Sequence, residues 1–168
     1  MGQKLKQPEQ PDVSARRHSF AILPKESERL VGMEFRCRLS GYQTGDIEAW
    51  EWAWNHFAKK LGAKIAKPVV TELSCRVRVV HGTAARPIKV YLMNCAGFCR
   101  DECMEIALIA ASQNNHCPAM RACAFALLEC NDLDDVISST EQFATILSSS
   151  GLRLSADSVI NANGVIDS

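Results

Sequence analysis

Glu34-Phe35-Arg36-Cys37-Arg38-Leu39-Ser40-Gly41-Tyr42 is the stretch on which the reading of the fold turns. In its first six residues Phe35, Cys37 and Leu39 alternate with Glu34, Arg36 and Arg38. A period of two predicts a half-buried strand, apolar on one side and charged on the other. The same alternation returns at residues 73–80, where Leu73, Cys75, Val77 and Val79 oppose Arg76 and Arg78. It returns again where Ile88, Val90 and Leu92 oppose Lys89, Tyr91 and Met93. His81-Gly82-Thr83 begins a turn that runs to Pro87, so these last two segments predict an extended hairpin. Residues 63–67 predict a shorter strand, stopped by Pro68.

Helices are expected between the strands. Ile47, Trp50, Trp54, Phe57, Ala58 and Leu61 fall at helical spacing on one face. Thr44 or Gly45 is the expected cap, with Asp46 and Glu48 in the first turn, Lys59 and Lys60 in the last, and Gly62 beyond it. Trp52 stands off that apolar stripe and is a candidate partner contact. Residues 98–113 predict a second helix on which Cys99, Cys103, Ile106, Ala107 and Ala110 share a face. Residues 120–128 are Ala-rich, which favours helix, but they stand where a closing strand would fall. Asp132 can cap a third helix through Val136, Phe143 and Leu147, ended by Gly151. The order β-α-β-(β)-β-α-β plus a helix predicts an α+β, ferredoxin-like plait. Two helices would cover one face of an antiparallel sheet, with a C-terminal helix appended. The expected organisation is a flexible arm over residues 1–31, a plait over 32–130, and an acidic helix and tail over 131–168.

The 168 residues carry 19 basic and 19 acidic side chains, a net charge of zero. The balance is uneven along the chain: from residue 104 onward eight acidic residues face only Arg121 and Arg153. The front is therefore basic and suited to phosphate, the back acidic and suited to water or a basic protein surface. Apolar content of 47% fits a packed domain. Apolar runs fall far short of the roughly 18 residues that read as a membrane span, so no membrane partner is expected. Ala15-Arg16-Arg17-His18-Ser19-Phe20 has the composition of a mitochondrial targeting segment.

Residues 35–128 resemble the S-ten family of ribosomal proteins. Phe35-Arg36-Cys37-Arg38-Leu39-Ser40-Gly41-Tyr42 is similar to the family's first strand and Gly-Tyr turn. Ala58-Lys59-Lys60-Leu61-Gly62-Ala63-Lys64-Ile65 is similar to the end of its first helix and the next strand entry, and Pro68-Val69 to its Gly-Pro-aliphatic step. The apolar third strand, Val90-Tyr91-Leu92-Met93-Asn94, is more similar to the mitochondrial large-subunit branch, the L-forty-eight proteins. The resemblance implies an S-ten-like plait serving as a structural component of the mitochondrial ribosome in the matrix, more similar to large-subunit members. Its partners would be rRNA and neighbouring ribosomal proteins. A small-subunit S-ten protein is the alternative within the family.

Under this reading Arg36, Arg38, Arg76, Arg78, Arg86 and Lys89 are the expected RNA-binding residues, gathered on the exposed strands. Catalysis finds no footing. His18, His56, His81 and His116 lie in no nucleophile motif, and Gly-x-Ser-x-Gly, phosphate-loop and His-Glu-x-x-His patterns are missing. No enzyme activity, catalytic residue, cofactor or small-molecule substrate is expected. The eight cysteines read as reduced, small buried hydrophobes. The competing reading is a thiol-rich metal-binding protein using Cys95, Cys99 and Cys103 with Cys117, Cys123 or Cys130. Cys95, Cys99 and Cys103 lie one helical turn apart, unlike the two-residue knuckle usual for zinc, so no metal is expected.

Overall fold

The computed structural model describes residues 25–159, and these hold six helices and no strand. The helices are α1 (Glu26–Thr44), α2 (Ile47–Leu61), α3 (Ala63–Thr83), α4 (Arg100–Gln113), α5 (Cys117–Leu128) and α6 (Asp134–Ser149). The antiparallel sheet and the ferredoxin-like plait are therefore corrected to a helical bundle. Residues 34–39 lie inside α1, and residues 63–67 and 73–80 both lie inside α3. Residues 88–92 lie in the connector from α3 to α4 and form no strand. The expected helices at residues 47–61 and 98–113, and the one begun near Asp132, are present as α2, α4 and α6. The ambiguous Ala-rich segment is α5. Residues 26–31, assigned to the arm, open α1; residues 1–24 lie outside the described residues.

The helices follow from a longer period than the one that suggested strands. In α1, Val31, Phe35 and Leu39 stand one turn apart and are fully buried. In α3, Ala66, Val69, Val70, Leu73, Val77 and Val80 repeat every three or four residues, and all are buried. Cys75, which the strand reading placed on the apolar side, is exposed. Pro68 sits inside α3 on its exposed side.

The turns are built locally. Gly45 at φ 74° ends α1 and donates its N–H to the Gly41 carbonyl at 2.8 Å. Asp46 then caps α2, its Oδ1 accepting from the amides of Glu48 (3.0 Å) and Ala49 (3.4 Å). The cap is thus Asp46 rather than Thr44 or Gly45. Gly62, at φ 80°, closes α2 and starts α3 at once. Glu129 ends α5 in the left-handed region at φ 53°.

α1, α2 and α3 pack against one another, and α4, α5 and α6 do the same. The two groups join where α4 meets α1 and α6 meets α3. α4 is the central element: every residue from Met104 to Ala111 is buried, the signature of a helix surrounded by neighbours. Its contact with α1 is close because Gly32 has no side chain. A Cβ there would lie 2.6 Å from Phe98 and 2.8 Å from Ile106. Among the described residues no helix is long and apolar enough to cross a membrane.

The first half of α4 also carries three buried carboxylates, Asp101, Glu102 and Glu105. Each meets an arginine from the basic front of the chain. Arg36 of α1 donates Nε to Glu102 Oε1 at 2.6 Å and Nη2 to Oε2 at 3.2 Å. Its other donors reach the carbonyls of Leu92 (3.2 Å), Cys95 (2.8 Å) and Gly97 (2.5 Å). Arg76 of α3 donates to Glu105 at 2.5 and 2.8 Å, and to Thr140 Oγ1 of α6 at 2.7 Å. Arg86 grips Asp101 through two bonds of 2.7 Å and reaches Glu129 at 2.8 Å. Burial pushes the Asp101 carboxyl up. The Arg86 bonds and the Lys89 amide outweigh that and hold it below the usual range. Bidentate pairing with further acceptors for the remaining donors is the condition under which a buried ion pair is tolerated.

Candidate functional site

These ion pairs engage three of the six expected RNA contacts and take two of them off the surface. Arg36 and Arg76 are wholly buried, and Arg86 is engaged by two carboxylates. Lys89 is exposed on the connector that also carries Arg86. Arg38 and Arg78 do come together. They line one small cleft between α1, α2 and α3, with Tyr42, Trp50, Ser74 and Val77.

α1 gives this cleft Arg38 and Tyr42 and α3 gives it Ser74 and Arg78, each pair one turn apart, while α2 gives it Trp50. The cleft of about 170 Å³ continues past Arg38 and Trp50 into a wider depression of about 510 Å³ walled by Trp50, Glu51, Trp54 and Asn55. The position of Trp50 is fixed by Gly41. A Cβ on residue 41 would collide with the indole, whose Nε1 donates to the Arg38 carbonyl at 3.2 Å. At the far end the Tyr42 ring meets His81 edge-on, with centroids 5.0 Å apart.

The sequence reading placed Ile47 and Trp50 on the core stripe of α2. Both are exposed, Ile47 by 66% and Trp50 by 38%. The buried side of α2 is instead Ala49, Ala53 and Phe57, whose two alanines let it lie close to α1.

Charge in the cleft is unbalanced. Arg38 is half-buried, and its Nε has no hydrogen-bond partner. Loss of solvent lowers its pKa, yet a guanidinium stays charged in proteins. Glu34, one turn earlier, is fully buried, and neither carboxylate oxygen is bonded. Burial pushes that carboxyl up to about 9, against the pull of Arg38. At neutral pH it is therefore an uncharged acid. Among the described residues Arg78 has no ion pair, so the cleft presents two uncompensated guanidinium groups beside aromatic walls.

Trp52, the expected partner contact, lies elsewhere. It is 39% exposed and stacks on His56, with centroids 4.9 Å apart and planes 9° from parallel. Burial, Lys60 and Lys59 together lower the His56 pKa. Both rings line a separate cavity of about 670 Å³ between α1, α2 and the connector, where Lys60 also pairs with Glu26. All eight cysteines are free thiols. Cys99 donates to the Lys89 carbonyl at 3.1 Å, and Cys103 faces the Phe98 carbonyl. Among the described residues no three of His, Cys, Asp and Glu gather as metal ligands.

A scan against family models, a search of curated proteins and a search of solved structures each returned no match to this chain.

Proposed function

We propose that this chain is a helical binding module that receives an acidic segment of a partner protein in the cleft between α1, α2 and α3. The observation that carries this reading is Arg38: a half-buried guanidinium whose Nε is unpartnered, beside a carboxyl that burial keeps neutral. A peptide carboxylate supplies the missing charge and matches the planar fork of the guanidinium. Arg78 offers a second such fork. Trp50, Trp54 and Ile47 offer apolar and aromatic surface to the residues flanking that carboxylate.

An acidic peptide is favoured over nucleic acid on charge density. Glu51 lines the same depression and Glu48 lies one turn away on α2. A polynucleotide carries a charge at every step and meets these carboxylates unfavourably. A peptide can place one carboxylate at Arg38 and an apolar residue beside Trp50. The ribosomal reading drew its RNA surface from exposed strands, and three of those six cations are held in ion pairs, Arg36 and Arg76 fully buried. Its targeting segment falls within residues 1–24.

The test is titration of the full chain, read by tryptophan fluorescence, with short synthetic peptides graded in Asp and Glu content, alongside a single-stranded RNA oligomer. The expected result is saturable binding that rises with acidic content. It should weaken about tenfold in Arg38→Ala and again in Arg78→Ala, the scale of losing one charge-assisted contact. Binding of the RNA alone, or peptide binding indifferent to both substitutions, would overturn the reading.

A further inference from the structure

The larger cavity, on the other side of α1 from Arg38, is lined by sulfur. Met33 and Cys37 stand one turn apart on α1, and Met93 and Cys95 come from the connector. Met33, Met93 and Cys95 line the cavity. Cys37 is fully buried, with its Sγ 3.3 Å from Met93 Sδ. Arg36 holds the group together: its Nη1 lies 3.3 Å from Met33 Sδ and 2.8 Å from the Cys95 carbonyl, while Glu102 balances its charge. One polarisable thioether, Met93, therefore touches a buried thiol that takes part in no ion pair or disulfide, and a second, Met33, stands one helical turn from it.

We propose that Met33, Cys37 and Met93 form a binding site for a soft monovalent metal ion, Cu(I), with Cys95 as a further sulfur at its mouth. This site is independent of the Arg38 cleft. Thiolate and thioether donors select Cu(I) among the common ions. Charge selects it as well. The Arg36–Glu102 pair is neutral, and one Cu(I) on one thiolate adds no net charge to it. A divalent ion would leave an uncompensated positive charge out of water. Met33 and Met93 are unbranched, and their rotatable bonds let both sulfurs swing onto an ion held by Cys37.

Binding replaces the thiol proton: the Cys37 S–H bond breaks, a Cys37 S–Cu bond forms, no electron is transferred, and one proton is released to solvent. The ion must displace that proton, so affinity falls as the solution becomes more acidic.

The experiment uses the full chain, reduced and anaerobic, with the exposed thiols Cys75 and Cys117 replaced by Ser so that surface capture is removed. Cu(I) is supplied as its bicinchoninate complex. The expected result is one equivalent withdrawn from the chelator with one proton released. Met33→Leu and Met93→Leu should each weaken it at least tenfold, and Cys37→Ser should abolish it. An excess of Zn(II) should not displace the copper. The leucine replacements preserve volume, so they decide the matter if Cys37→Ser does not fold. A chain that withdraws no copper overturns the proposal. So does copper binding that ignores both leucine variants and is lost when Cys99 and Cys103 are replaced.

Discussion

Glu34 is stable in the core of α1 only as the neutral acid, since neither oxygen has a partner and burial raises its pKa from 4.5 to about 9. The linkage has a definite sign. Below pH 4.5 the carboxyl is protonated in folded and unfolded chains alike, and its environment adds no pH dependence. Between 4.5 and 9 the folded chain holds a proton that the unfolded chain has released, so stability falls as pH rises. Glu34→Gln removes this dependence. Denaturant midpoints of wild type and variant are expected to agree near pH 4 and to separate progressively towards pH 9, the variant being the more stable. Parallel curves over that range would exclude a buried neutral acid. No sequence signal announced this group, because Glu34 read as the solvent side of a strand. Arg38 and Arg78 were legible as basic residues on exposed surface. Their meeting with Trp50 was not, because that needs Gly41, Trp50 and Ser74 placed on three different helices.

At the scale of the element, the alternation in residues 34–39 and 73–80 was genuine but too short to identify a strand. Six to eight residues cover about two turns of helix, and a period of two and a period of 3.6 both fit so few points. The distinction lay outside those windows. Val31 extends Phe35 and Leu39 backwards, while Ala66 and Val70 extend Leu73, Val77 and Val80, all at helical spacing. The charges also misled. Arg36 and Arg76 marked the exposed side of a strand, yet both are buried because Glu102 and Glu105 await them on α4. That pairing spans 66 and 29 residues of sequence and leaves no local trace. α2 was legible because its acidic start, its basic end and the glycine beyond it agreed with its period, although its cap is Asp46 and not Thr44 or Gly45. The corner between α1 and α2 offers the matching prediction. Gly41→Ala forces a methyl into the Trp50 indole, at a cost of about 1–3 kcal/mol typical of overpacking. It should break the bond from Trp50 to the Arg38 carbonyl. Thermal unfolding should register the loss, and a shift in tryptophan emission should accompany it. A variant matching wild type in both would mean that the helices are not held at this separation.

Across the whole molecule, the uneven charge along the chain is what joins its two halves. The basic residues of α1 and α3 lie in one group of helices and the acidic residues of α4 in the other. Arg36–Glu102 and Arg76–Glu105 cross between them at zero exposure. Arg76 reaches further still, to Thr140 of α6. Such pairs need not add net stability, since desolvation offsets most of their attraction, but losing one partner strands a buried charge at a cost of about 3–5 kcal/mol. They therefore couple the halves: α1–α3 cannot open without exposing Glu102 and Glu105, nor α4–α6 without stranding Arg36 and Arg76. Native-state hydrogen exchange should find the slowest amides of α3 and of α4 opening with the same free energy. Arg76→Met should lower both by an equal amount, because Glu105 lies in the shared interface. If that substitution loosens α3 alone and leaves α4 protected, the halves unfold separately and the ion pairs bridge two independent units instead of one core. A paired change, Arg76→Met with Glu105→Leu, separates charge from packing. It removes both charges, and the common opening energy should recover most of what the single change lost.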